Sequence, residues 1–266
     1  MTETTTHSPE ETIGRRLAGK RILITGTGGG QGAAAQRLFC QHGAHVIGCD
    51  VTPGAAAATA AELSEQDFHA EGHDVDLANP QAAKTWVETS IETLGGIDVL
   101  YNNASAPAIA PFHEMTLEQW RFTMVNELEI LFTVTSAAWP HLMEAGGSVI
   151  NASSGNASMG VAPLGFAAHA AAKAGVLGLT RQLAAEGAEY GIRVNAVTPG
   201  FVESPGTSGM PQEIKDYFSQ RINVLPGSIQ PVDIAYCALF LASDESRMVS
   251  GSEYIVDSGT NGARPA

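Results

Sequence analysis

The stretch Thr25-Gly26-Thr27-Gly28-Gly29-Gly30-Gln31-Gly32 decides how the rest of the chain is read. It follows the β-branched run Arg21 to Thr25 and leads into a helix-like segment, Gly32 to His42. Glycines there let the backbone turn sharply and approach a pyrophosphate, whose charge is favoured by the free amides of a helix amino terminus. A glycine-rich turn also serves as a plain connection, so its surroundings matter. A second run, His45 to Cys49, is followed by Asp50, at the distance expected of a carboxylate that accepts hydrogen bonds from the adenosine ribose hydroxyls. A strand-end cap is the plainer role for the same residue. A ribose-binding carboxylate repels a 2′-phosphate, and no Lys or Arg lies between Gly26 and Gly32, so the pattern predicts NAD rather than NADP.

Outward from this turn, short apolar runs alternate with helix-length segments. Further strands are expected at Asp98 to Tyr101, Ser148 to Ala152, Arg193 to Val197 and Tyr254 to Val256, with a weaker one near Phe68 to Gly72. Helices are expected at Ala55 to Ser64, Pro80 to Leu94, Leu117 to Glu144, Ala167 to Tyr190 and Val232 to Ala242. Several strands are apolar on both faces, as strands buried between two helix layers must be. The alternation implies βαβ units and a parallel sheet. With 266 residues, 44% of them apolar and 16% charged, one α/β domain can bury a sizeable core. The expected division is a flexible tail at 1–17 and a single domain over 18–266.

The 14 basic against 28 acidic residues give a net charge of -14, which disfavours nucleic acid and anionic membranes as partners. No run of roughly 18 apolar residues is present, so no membrane span is expected. The three cysteines, Cys40, Cys49 and Cys237, have neither disulfide-framework nor metal-ligand spacing, which points to a reducing cytoplasm. His42, His45, His69 and His73 show no metal-binding motif, and no metal is expected.

Several motifs in order resemble the short-chain dehydrogenase/reductase family. Thr25 to Gly32 is similar to its cofactor turn, in which Gly26, Gly30, Gln31 and Gly32 would contact the dinucleotide. Asp74-Val75 resembles the pair beside adenine. Asn102-Asn103-Ala104 resembles the family's Asn-Asn-Ala-Gly, with Ser105 replacing the Gly. Asn126 falls where the family has its structural and proton-relay Asn, Ser154 at the catalytic Ser, and Pro199-Gly200-Phe201-Val202 beside the nicotinamide. The resemblance covers roughly residues 18 to 260. It implies a Rossmann-like doubly wound sheet of about seven parallel strands in a single domain, with the site at the strands' carboxyl ends. It also implies a homotetramer or homodimer built partly from the two long helices.

The resemblance breaks at its centre. The family catalyst is Tyr-x-x-x-Lys, and this chain has His169-Ala170-Ala171-Ala172-Lys173. Positions i and i+4 share a helix face, so the pair still converges on one site. Ser154 precedes His169 by 15 positions, about two more than is common in the family, and Asn156 sits at the usual spacing. The resulting expectation is NAD-dependent interconversion of a hydrophobic secondary alcohol and its ketone. His169 is the acid/base, Ser154 or Asn156 holds the substrate oxygen, Lys173 binds the ribose, and Asn126 supports Lys173 through water. Neutral imidazole is expected, because Lys173 disfavours a second positive charge. The alternatives are a dinucleotide-binding member with little turnover, or a non-redox acid-base lyase. Glu203 to Gly227 corresponds to the family's substrate lid, and Met159, Val161, Phe166, Met210 and Phe218 are candidates for an apolar pocket or for packing.

Overall fold

The computed structural model describes residues 15–161 and 164–263. Strands β1 (Arg21–Thr25), β2 (His45–Asp50), β3 (Ala70–Asp74), β4 (Val99–Asn102), β5 (Gly147–Ala152), β6 (Ile192–Pro199) and β7 (Glu253–Val256) form one sheet in the order β3-β2-β1-β4-β5-β6-β7. Every pairing is parallel. Side chains alternate across the pleat. Ile22 and Ile24 face one core and Leu23 the other, as do Val99 and Tyr101 against Leu100.

Helices α1 (Gly30–Gln41), α2 (Ala55–Ser64) and α7 (Pro231–Ala242) cover the first core. The second is covered by α3 (Pro80–Leu94), α5 (Ile130–Ala145) and α6 (Ala167–Gly187). The order of strands reverses between β1 and β4, and the carboxyl ends that flank this switch point form a crevice. The three cysteines are free. Among the described residues no helix is long and apolar enough to cross a membrane, and no group of three or more His, Cys, Asp or Glu is placed to share a metal ion.

Three expectations about elements change. The third strand lies at Ala70–Asp74, two residues beyond the expected segment, in register with Val46 to Asp50. The long helix expected at Leu117 to Glu144 is α4 (Leu117–Met124) and α5 joined by a π-helical turn, Val125–Glu129. Of the expected tail, positions 1–14 lie outside the described residues. Leu17 is fully buried in the first core, and Arg16 pairs with Glu245 at 2.6 Å. The domain therefore includes these last residues of the expected tail.

Candidate active site

Two cavities adjoin at the sheet's carboxyl ends and share Gln31, Asn103, Ser105, Ser204 and Gly206, so they form one groove. The outer part encloses about 600 Å³ and runs over the glycine turn. The inner part, about 290 Å³, ends against His169 and Lys173.

The outer part fits a dinucleotide by its own geometry. Gly26 and Gly30 have φ of +78° and +52°, a region that side chains rarely adopt. A Cβ on Gly32 would stand 2.0 Å from the Gly26 carbonyl oxygen, and one on Gly28 would stand 2.6 Å from the Asp50 carboxyl carbon. The turn therefore lies flat against β2 and α1. Helix α1 starts from Gly29 with no side-chain cap, which leaves its first amides to an anion. Asp50 lines the groove and accepts from the amides of Gly28 and Thr52 at 2.9 Å each. Val75, Ala104 and Asn126 also line it.

Two residues expected at the cofactor are turned elsewhere. Asp74 is outside the groove lining, and its carboxylate accepts the Gly54 amide at 2.9 and 3.0 Å, which ties β3 to the start of α2. Asn102 is buried beneath the groove and donates to Thr135 Oγ1 and Asn151 Oδ1 at 2.9 Å each. Its neighbour Asn103 is the one on the groove wall, with Nδ2 donating to the carbonyls of Thr25 and Gly26. Asn103 belonged to the quoted motif, and only the strand's register shows which of the two adjacent amides faces out.

At the inner end, α6 carries His169 and Lys173 one turn apart. Lys173 Nζ is buried and donates to the Ala152 carbonyl at 3.0 Å. Burial pushes its pKa down, and the charge of Glu127 opposes that shift. The imidazole of His169 packs beside the Phe166 ring, with 5.6 Å between centroids. Its Nδ1 stands 2.9 and 2.8 Å from the two carboxylate oxygens of Glu127. Glu127 is fully buried and also accepts a hydrogen bond from Ser105 Oγ. Burial raises its pKa, but the His169 hydrogen bond, the Lys173 charge and the Ser105 hydroxyl outweigh it and hold the carboxyl below its ordinary value.

Nothing in the sequence marks Glu127 as part of the site. A single Glu inside a helix reads as solvated, whereas Glu127 lies in the π-helical turn and is buried. Its hydrogen-bonding partners Ser105 and His169 lie 22 and 42 positions away in the chain, so no local motif marks it. The ring thus stands between a buried carboxylate and Lys173.

Ser154 and Asn156 both line the inner cavity, and Ser154 Oγ accepts from the Asn156 amide at 3.2 Å. Pro199, Gly200 and Val202 lie on the same wall. Asn126 donates to the Phe122 carbonyl at 2.9 Å and faces the outer cavity. Met159, Val161, Phe166, Met210 and Phe218 all reach the inner wall, where Phe218 stacks on Phe201 with centroids 4.8 Å apart. Among the described residues no tyrosine lines either part of the groove.

Comparison with known proteins agrees with this geometry. Residues 26–261 match the family model described as enoyl-(acyl carrier protein) reductase. The chain is 34% identical over 244 residues to meso-2,3-butanediol dehydrogenase of Serratia marcescens, covering 92% of this chain and 95% of that protein. It is 36% identical over 245 residues to 3-oxoacyl-[acyl-carrier-protein] reductase FabG of Thermotoga maritima, covering 92% and 98%. A solved structure from Burkholderia xenovorans, ascribed to the short-chain dehydrogenases/reductases, superposes with a TM-score of 0.87 at 29% identity, covering 93% of this chain and 98% of that one. A glycine turn shaped for a dinucleotide, a groove leading from it to an imidazole and a lysine, and matches that span nearly the whole chain place this protein in the short-chain dehydrogenase/reductase family, as an oxidoreductase of nicotinamide dinucleotides.

Proposed function

We propose that the protein interconverts a hydrophobic secondary alcohol and its ketone with NAD as cofactor and His169 as the acid/base. The observation that carries this reading is the placement of His169 at the inner end of the groove, one helical turn from Lys173 and 14% exposed towards it. A bound nicotinamide dinucleotide would supply the acceptor or donor of hydride. Gly26, Gly30, Gln31 and Gly32 shape the turn that would hold its pyrophosphate, and Asp50 would accept from the adenosine ribose. Val75 and Ala104 would flank that half, and Pro199, Gly200, Val202 and Lys173 the nicotinamide half. Ser154, with Asn156 beside it, holds the substrate oxygen. His169 takes the hydroxyl proton in oxidation and returns it in reduction.

NAD is favoured over NADP by charge. Among the described residues the outer cavity is lined by Asp50 and Asp76 and by no Lys or Arg, so a 2′-phosphate would meet carboxylates without a cation. The apolar inner wall suits a small-molecule substrate with a hydrophobic body. Neither nucleic acid nor membrane is a proposed partner. A homotetramer or homodimer, cytoplasmic, is the form proposed.

The test is a titration of the purified protein with NAD and NADP, followed by a panel of secondary alcohols monitored for reduced nicotinamide. The reading predicts NAD binding at least about tenfold tighter than NADP, roughly 1.4 kcal/mol, and turnover with hydrophobic alcohols. Tight NAD binding with no turnover across the panel would favour the binding-only alternative. Failure to bind either dinucleotide would sink the proposal.

A further inference from the structure

Ser105 and His169, two of the positions where the sequence differs from the family motifs it resembles, both hydrogen-bond the carboxylate of Glu127. A carboxylate so fully withdrawn from water is strongly disfavoured unless its oxygens are hydrogen-bonded and its charge is answered. Here both oxygens face His169, Ser105 Oγ adds a donor, and the charge of buried Lys173 acts on the same group.

An ionised carboxylate only accepts hydrogen bonds. The imidazole nitrogen facing it must therefore carry a proton, and that nitrogen is Nδ1. In the neutral ring the other nitrogen, Nε2, then bears the lone pair. His169 lines the inner cavity, and Nδ1 is already engaged, so Nε2 is the nitrogen left to a substrate. The opposite tautomer would set two acceptors against each other at a carboxylate withdrawn from water.

We propose that Glu127, held by Ser105, is a positioning residue that fixes His169 as the Nδ1–H tautomer and makes Nε2 the single nitrogen exchanging a proton with the substrate hydroxyl. This rests on the reading of His169 as the acid/base. In oxidation the substrate O–H bond breaks and its proton passes to Nε2. The carbinol C–H bond breaks with its electron pair, which leaves as hydride to an oxidised nicotinamide dinucleotide, and the C=O bond forms. The imidazolium produced lies against the Glu127 carboxylate, so the new positive charge is stabilised where it arises. Reduction reverses each transfer.

The experiment uses the full-length protein labelled with ¹⁵N-histidine, without added ligand, at a pH where the rings are neutral. The chain has eight histidines, and the His169 signal is the one missing from His169→Gln. The expected result is a proton on Nδ1 of His169 in the wild type. In Glu127→Gln the carboxamide can donate to the ring, and the Nε2–H form should appear. With NAD and an accepted alcohol, Glu127→Gln should lower kcat about a hundredfold or more, with KM for NAD within about threefold, and Glu127→Asp should recover part of the loss. A wild-type ring protonated on Nε2 would overturn the proposal, as would unchanged tautomer and kcat in Glu127→Gln. The wild-type signal decides the matter even if the variant does not fold. If no alcohol is oxidised by the wild type, the redox reading fails while the tautomer measurement still decides the role of Glu127.

Discussion

At the residue scale, the carboxyl of Glu127 links the site to the stability of the fold. Its folded pKa lies below the ordinary value because His169, Lys173 and Ser105 together outweigh the effect of burial. A depressed carboxyl contributes stability that is fully present above the unfolded value, about 4.3, and is lost as pH falls through the folded one. Glu127→Gln should therefore be less stable than wild type at neutral pH, by about 1–3 kcal/mol, and the gap should narrow as the medium becomes acid. Urea unfolding at a series of pH values measures this, and a gap that stays constant would mean that the carboxylate's ionisation is not what its partners stabilise. Lys173→Ala is a separate case. It removes the buried amine at the inner end of the groove and the charge that answers Glu127. Turnover of secondary alcohols should fall at least about a hundredfold, read as the rate of cofactor reduction under NAD saturation.

At the element scale, the glycine turn and the sheet's staples carry the shape of the groove. Gly32→Ala would force a Cβ to within 2.0 Å of the Gly26 carbonyl, a contact that only movement of the turn or of α1 relieves. The expected outcome is a loss of NAD affinity of at least about tenfold, measured by calorimetric titration of the folded variant. Across the sheet, Arg21 at the start of β1 donates through Nε and Nη2 to the Asp98 carboxylate just before β4, both at 2.9 Å. That pairing lowers the Asp98 pKa against the raising effect of burial. The pair is partly exposed, so Asp98→Asn should cost only about 1 kcal/mol in denaturant unfolding.

What the chain disclosed of these elements follows from what their side chains touch. Strands β1, β4, β5 and β6 are apolar on both faces, and periodicity locates them to within a residue or two. Strand β3, Ala-Glu-Gly-His-Asp, sits at the sheet edge with its side chains partly in water, so it has little pattern to read. The π-helical turn at Val125–Glu129 is likewise silent in sequence, because one extra residue in a turn leaves composition unchanged while it turns Glu127 inward. His169 and Lys173 were legible through their resemblance to the family's Tyr-x-x-x-Lys, and the four-residue spacing puts them on one helix face. Asp74 and Asn102 were placed at the cofactor by motif, yet backbone and core partners hold their side chains away from the groove.

At the scale of the whole molecule, an acidic protein that binds a dinucleotide must reconcile two like charges. With a net charge of -14 the long-range field opposes such a ligand. The local turn answers it with uncapped helix amides at α1 and, at the far end of the groove, the buried Lys173. Raising ionic strength should therefore speed NAD association modestly, where a basic binding surface would show slowing; stopped-flow binding at two salt concentrations distinguishes the signs.

On the proposed function, His169 moves the proton in an NAD-linked alcohol oxidation. The most direct measurement is the rate of NAD reduction by an accepted secondary alcohol in wild type and in His169→Ala, each saturated with NAD, from about pH 5 to pH 8, the range in which imidazoles take up a proton. The wild-type rate should fall towards acid pH. His169→Ala should lose about 10²–10⁴-fold in rate, with NAD affinity within about threefold of wild type. A wild-type rate that is flat across that range, or a His169→Ala variant that oxidises the alcohol as fast as wild type, would contradict that role.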